Sequence, residues 1–153
     1  MSEARADREC VDVIIIGAGA SGLFCAFNTA LYGKRVLVLD HANKAGKKIL
    51  MSGGGRCNFI NLNVTANEFI GQNEHFVKSA LSRYSSDDFI KLVQKHGIAY
   101  HEKSHGELFC DDSSKDILNM LLTECEQAGV TIRLNTTIDS IIKDDEQNGF
   151  VIH

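Results

Sequence analysis

Residues 11–40 read VDVIIIGAGASGLFCAFNTALYGKRVLVLD, and the fold follows from how that stretch changes its period. Residues 11–16 are β-branched apart from Asp12. A run without a polar face predicts a strand buried on both sides, as in a parallel sheet. Glycines follow at once. Leu23, Phe24, Ala26, Phe27, Ala30 and Leu31 then recur at helical spacing and make one apolar face. Gly33 stands where such a helix ends. Residues 35–39 (RVLVL) are a second apolar strand. Strand, helix and parallel strand in that order call for a right-handed crossover.

The turn between the first strand and the helix is Gly17-Ala18-Gly19-Ala20-Ser21-Gly22, a G-x-G-x-x-G. The hexapeptide alone is a weak signal. Placed after a buried strand and at the start of an amphipathic helix, it is the dinucleotide fingerprint. Gly17 makes the tight turn, Gly19 lets a pyrophosphate approach the backbone, and Gly22 lets helix and strand pack closely. The N–H groups near Ala20 and Ser21 then face the phosphates, aided by the helix dipole. Asp40 ends the second strand 18 positions after Gly22. That is close to the ~20 expected of the acid that binds a ribose hydroxyl pair, and an acid there repels a 2′-phosphate.

Beyond Asp40 the chain is irregular over residues 41–71 and carries the basic residues His41, Lys44, Lys47 and Lys48. A helix is expected over 75–84. Ser85-x-x-Asp88 resembles a capping box, with Asp in place of Glu, and opens a helix running to His96. Residues 98–102 and 107–110 read as a short hairpin around Ser104-His105-Gly106. Ser113-x-x-Asp116 opens a helix with Ile117, Leu118, Leu121, Leu122, Cys125 and Ala128 on one face, and residues 130–134 follow as a strand. Residues 137–143 and 150–153 read as two antiparallel strands. Residues 1–10 read as a loose tail, and 11–153 as one domain.

Composition narrows the function. The chain has 153 residues, 44% hydrophobic and 24% charged, which is the balance of a globular domain. Its net charge of -4 argues against a nucleic-acid partner, which calls for clustered Lys and Arg. Five widely spaced cysteines without a C-x-x-C exclude a disulfide framework and fit a reducing cytoplasm. No apolar run is long enough to span a bilayer, so no membrane partner is expected. No metal site is expected either: His101 and His105 flank a hairpin turn without further ligands at fixed spacing. Asp87/Asp88 and Asp111/Asp112 sit at expected helix starts, where caps account for them.

The most specific stretch is Ser52-Gly53-Gly54-Gly55-Arg56-Cys57-Asn58. Successive glycines let a backbone lie flat against a planar ligand with its N–H groups free to donate. An isoalloxazine, whose edges need donors, is such a ligand. Cys57 is either a redox thiol or a small packing residue, and Arg56 either an anion partner or a structural cation.

GAGASGL, VLD and GKKILMSGGGRCNFIN together resemble the BaiN-like family of bacterial NAD(P)/FAD-dependent oxidoreductases. FVKSALSRYSSDDFIKLVQKHGI, GELFC and LLTECEQAGVTIRLNTTIDSI fit the same family. The resemblance covers nearly the whole chain after the tail, and SGGGRCN is its most diagnostic part. It implies a Rossmann-like, doubly wound α/β FAD-binding domain with a parallel sheet and a small antiparallel β-meander. By that resemblance Gly17, Gly19, Ala20, Ser21 and Gly22 contact the FAD pyrophosphate, and Asp40 holds the adenosine ribose, where a Glu is more usual. Lys47 and Lys48 lie along the cofactor, Ser52, Gly53, Gly54, Gly55, Arg56, Cys57 and Asn58 line the flavin, and the backbone of Ile138 meets adenine. Cys110 departs from the proline common after the phenylalanine of that hairpin. The family's inserted domain, the strand completing its sheet and a C-terminal flavin-contacting segment are not expected here, so the domain is expected to be incomplete.

The expected function is the FAD-binding part of an oxidoreductase. Hydride moves between NAD(P)H, flavin and an unidentified small organic substrate, and no residue is assigned as catalytic acid or base. Two rival readings stay open: an NAD-dependent dehydrogenase using the glycine loop for NAD, and a non-catalytic dinucleotide-binding fragment. A tRNA-modifying flavoprotein ranks behind them on charge.

Overall fold

The computed structural model describes residues 9–73 and 75–153; the expected tail lies outside the described residues over 1–8. The elements in chain order are β1 (Val13–Ile16), α1 (Ala20–Ala30), β2 (Val36–Leu39), α2 (Lys47–Met51), β3 (Asn58–Asn61), α3 (Lys78–Arg83), α4 (Ser86–Lys95), β4 (Tyr100–Glu102), β5 (Glu107–Cys110), α5 (Ser114–Gln127), β6 (Thr131–Arg133), β7 (Ile141–Asp144) and β8 (Gly149–Ile152). Short 3₁₀ turns cover Ser52–Gly55 and Ala66–Glu68. The chain divides into two compact units: residues up to Gly46 with Leu121–His153, and Lys47–Met120.

The first unit is built on a parallel sheet of order β1-β2-β6. Val13↔Val36 through Ile16↔Leu39 set one register, and Leu37↔Thr131 through Leu39↔Arg133 the other. All four residues of the central strand β2 are buried, as a strand covered on both faces requires. The Asp inside the first apolar run makes a local bond, its carboxylate accepting from the Arg35 backbone N–H at 2.7 Å. From α1, Leu23, Ala26 and Phe27 enter the core. Leu31, on the same expected face, is 69% exposed, because the helix ends at Ala30 and Leu31 is its C-cap. Leu121 and Cys125 of α5 are buried, and the Cys125 thiol lies 3.4 Å from the Leu23 carbonyl.

Strands β7 and β8 pair antiparallel from Ile141↔Ile152 to Asp144↔Gly149. The first of them starts later than the residue 137 expected from sequence. Ser140 and His153 exchange N–H···O bonds in the register of that ladder, and the Asp139 N–H also donates to the His153 carbonyl.

The second unit holds an antiparallel sheet of order β3-β5-β4. The expected hairpin is β4–β5; β3 joins its other edge through Asn58↔Phe109, Ile60↔Leu108 and Asn61↔Glu107, with an irregularity between Asn58 and Ile60. A cluster of Phe59, Phe89 and Tyr100 packs beside it; the Phe59 ring lies 6.2 Å from Phe89 and 5.6 Å, edge-on, from Tyr100 between centroids. The stretch expected as irregular therefore contains a helix (α2) and a strand. The helix expected over 75–84 starts at Lys78. Asp111 caps no helix: its carboxylate meets the His101 ring at 2.6 Å. No helix among the described residues is long and apolar enough to cross a membrane.

The capping box of α4 forms as read, with the Ser85 hydroxyl accepting from the Asp88 N–H and the Asp88 carboxylate accepting from the Ser85 N–H. Hydrogen bonds from Ser85, with help from Lys91, pull the Asp88 carboxyl below its ordinary 3.8 to about 2. A depressed carboxylate stabilises the folded state above its unfolded value, and that contribution is lost as pH falls through the folded one. Ser85→Ala should therefore cost about 1 kcal/mol in urea denaturation at neutral pH. Asp88→Asn should flatten the acid limb of stability between the two values, and an unchanged acid limb would contradict the box.

Candidate functional site

In the first unit the site grows from the turn after β1. Strand β1 delivers Gly17, whose N–H donates to the Leu39 carbonyl at 2.7 Å, and α1 begins at Ala20. Gly22 is needed for contact: a Cβ there would lie 1.8 Å from the Gly17 carbonyl oxygen. Gly19 is the N-cap of α1, with extended backbone and no side-chain cap, and no acidic residue stands in the first turn. A Cβ on Gly19 would meet nothing within 4 Å. The helix thus presents first-turn N–H groups and the positive end of its dipole to open space beside a residue without a side chain. That arrangement fits a diphosphate.

Asp40 does more than end the strand. One carboxylate oxygen accepts from the Ala18 N–H inside the glycine loop at 2.7 Å, and the other from the Ala42 N–H at 2.8 Å. The side chain is only 14% exposed, and the exposed His41 ring stands 3.5 Å away. Its own N–H donates to the Arg133 carbonyl, and its carbonyl accepts from the Thr136 N–H at 2.9 Å. These bonds bring residues 136–138 to Asp40. A cavity of about 440 Å³ opens there, lined by Ile16, Gly17, Leu39, Asp40, His41, Thr136, Thr137 and Ile138. Gly17, Asp40 and Ile138, singled out in the sequence, share that cavity. Its mixed lining, apolar walls with one carboxylate, suits a planar base joined to a sugar. Ile138 lies in an irregular segment and not at the start of a strand. Sequence reasoning misses Thr136 and Thr137 as lining residues, although they adjoin Ile138.

In the second unit Lys47 and Lys48 open α2, and both are exposed. The Ser52 hydroxyl donates to the Ile49 carbonyl at 2.7 Å. Gly53, Gly54 and Gly55 all adopt left-handed backbone, with φ of 56, 65 and 87°. At Gly53 even a permitted φ would not admit a side chain, since a Cβ would lie 2.7 Å from the Asn58 nitrogen and 2.8 Å from Phe109 Cε1. Gly53, Gly54 and Arg56 are exposed, while Cys57 is buried. Cys57 is itself left-handed at φ 52°, a conformation that costs a non-glycine residue about 1 kcal/mol or more. Burial pushes its thiol above the ordinary value, against a lowering contact with Ser52. Asn58 starts β3 and donates to the Glu107 carboxylate at 3.0 Å.

His101 also lies in this unit. Its ring stacks on Phe109 at 6.4 Å between centroids, and the Lys103 ammonium sits 5.2 Å from the same Phe109 ring. No group of three or more metal-ligating side chains occurs among the described residues.

The HI0933-like protein Rossmann domain matches residues 11–153. The chain is 54% identical over 144 residues to the ribosomal RNA dihydrouridine synthase of Escherichia coli K12, covering 94% of this chain and 36% of that protein. It is 28% identical to the 3-dehydro-bile acid delta(4,6)-reductase of Clostridium scindens, covering 90% of this chain and 34% of that one. Among solved structures, the 3-ketosteroid-delta4-(5alpha)-dehydrogenase of Rhodococcus jostii RHA1 superposes with a TM-score of 0.67 at 14% identity, over 98% of this chain and 44% of that one. The last likeness concerns the fold. The chain spans about a third of the length of the curated relatives it matches.

Two substitutions separate the roles of the loop glycines. Gly22→Ala should lower stability by about 2 kcal/mol, because backbone must move to admit the methyl. Gly19→Ala should leave the denaturation midpoint nearly in place. Asp40→Ala should cost about 1–3 kcal/mol through the unpaired Ala18 N–H. Equal midpoints for the two glycine variants would refute the assignment of contact to Gly22 alone.

Proposed function

The chain belongs to the HI0933-like family of Rossmann domains, and from that premise we propose that it is the cofactor-binding part of an FAD-dependent reductase acting on a uracil ring in ribosomal RNA. The observation that carries the substrate is the 54% identity to the Escherichia coli enzyme, almost twice the 28% identity to the bile-acid reductase. Because the chain spans only about a third of either relative, both activity and substrate belong to the proposal.

FAD, when bound, supplies hydride transfer from a nicotinamide donor, NADH or NADPH, to an organic acceptor. The residues do the rest. The N–H groups of Gly19, Ala20, Ser21 and Gly22 bind the diphosphate, with Gly17 shaping the turn. Asp40 holds the loop through Ala18 and is the acid that would meet the ribose hydroxyls. Ile138 covers the adenine. In the other unit, Lys47, Lys48 and the glycine turn at residues 52–58, with Arg56, are the groups that the family resemblance would assign to the cofactor. An acid at Asp40 favours FAD over a 2′-phosphorylated dinucleotide in this loop.

The net charge of -4 weighs against RNA, yet it is the charge of a chain covering about a third of the relatives and not of their whole RNA-facing surface. A second reading, reduction of a conjugated steroid-type ketone, draws on the Clostridium scindens relative. Both names describe hydrogen added across a carbon–carbon double bond, and in uracil that bond is conjugated to a carbonyl. An RNA substrate places the protein in the cytoplasm, in keeping with its free cysteines.

The test supplies the purified protein with FAD, NADPH and ribosomal RNA lacking dihydrouridine, followed by nucleoside mass spectrometry. The expected product is a uridine two hydrogens heavier. Reduction of a dienone steroid with RNA untouched would establish the second reading instead, and no reduction of either would overturn both.

A further inference from the structure

Reduction of a carbon–carbon double bond conjugated to a carbonyl needs a proton as well as a hydride. Hydride adds to the carbon farther from the carbonyl, and the nearer carbon must then take a proton from an acid. One face of the β3-β5-β4 sheet, within the second unit, carries such a group. His101 of β4 pairs with Phe109 of β5, and Asn58 of β3 pairs with the same Phe109 from the other side, so the three stand in one row. Side chains two positions apart along a strand share a face. Lys103, Glu107 and Asp111 therefore join that face.

His101 Nδ1 lies 2.6 Å from Asp111 Oδ1. Asp111 is itself anchored, its N–H donating to the Ala99 carbonyl at 3.0 Å. The imidazole also stacks on Phe109, with 21° between the planes. Its Nε2 has no hydrogen-bond partner among the described residues, and the side chain is 44% exposed. Phe109 joins this pair to the glycine turn, because a Cβ at Gly53 would lie 2.8 Å from Phe109 Cε1. The turn thus packs on the ring that the imidazole stacks on.

We propose that His101, oriented by Asp111, is the general acid that protonates the substrate carbon next to the carbonyl. This assignment rests on the proposed reduction.

Imidazole is the side chain suited to give up a proton near neutral pH, and a carboxylate on Nδ1 fixes the tautomer and steadies the charged ring. The neighbours are committed otherwise. Lys103 holds its ammonium 5.2 Å over the Phe109 ring, and Glu107 accepts from Asn58 at 3.0 Å. The step balances with the hydride that the reduced cofactor of the proposed function supplies. A C–H bond forms at the farther carbon, and the electron pair of the double bond shifts toward the carbonyl. The Nε2–H bond of the imidazolium then breaks, and a C–H bond forms at the nearer carbon. The substrate gains two hydrogens, the cofactor loses a hydride, and the neutral imidazole regains its proton from water.

The test compares wild type, His101→Gln, His101→Ala and Asp111→Asn on ribosomal RNA lacking dihydrouridine, with FAD and NADPH, by nucleoside mass spectrometry. For His101→Gln, kcat should fall about 100-fold or more with KM for the RNA nearly unchanged. Imidazole in the buffer should restore turnover to His101→Ala. Asp111→Asn, which removes a positioning residue, should lower kcat by less and leave KM in place. A readout without turnover accompanies these: diethyl pyrocarbonate, which modifies an open imidazole nitrogen, should label His101 in the protein alone and label it less once the RNA is bound, before NADPH is added. If a dienone steroid is the substrate reduced, it takes the place of the RNA in each measurement. An active wild type with an equally active His101→Gln, or labelling of His101 that substrate does not change, would overturn the acid and leave the reduction standing. A wild type that reduces neither substrate would overturn the two together.

Discussion

The carboxylate of Asp40 ties the loop after β1 to the end of β2, and the geometry of the first unit's site depends on that tie. One oxygen holds the Ala18 N–H at 2.7 Å and the other the Ala42 N–H at 2.8 Å. Ala18 is fully buried, so the donor has no solvent to turn to if the carboxylate is removed. With the loop fixed, α1 starts at Ala20, and its uncapped N-terminus faces outward at Gly19. The backbone of Asp40 meanwhile binds Arg133 and Thr136, bringing Ile138 to the same cavity. A single residue therefore positions both the uncapped start of α1 and the walls of the cavity at Ile138.

Much of this is legible in the sequence, because it is local. The crossover shows as a change of period from a β-branched run to a helical face and back. The box at Ser85 and Asp88 shows because both partners lie within one turn. Spacing finds Asp40 but not its bond to Ala18, since a backbone N–H leaves no mark in a sequence. Strand β3 escapes because NFIN has no alternation and its partners lie far along the chain, as Asn58 and Glu107 illustrate. Asp111 reads as a cap because acids favour helix starts; only the β4–β5 pairing brings His101 to it. Ile138 reads as a strand start because residues 137–143 are rich in β-branched side chains, whereas the paired residues begin only at Ser140.

The glycine strip of the second unit is a different kind of constraint. Three consecutive left-handed glycines and a left-handed cysteine form a turn that few other residues could build, and Phe109 occupies the space a side chain at Gly53 would take. The backbone is held in this shape by a buried thiol and an aromatic ring, while Gly53 and Gly54 stay exposed. Such a surface is suited to a flat ligand. The relatives that this chain resembles carry the names of different reactions.

The most direct measurement is FAD retention through gel filtration, read by flavin absorbance, for the wild-type chain and for Gly19→Val. The account predicts that the wild type carries flavin with it, that ADP in excess displaces it, and that the valine variant elutes colourless yet folded. Flavin retained equally by both proteins would contradict a diphosphate site at the start of α1.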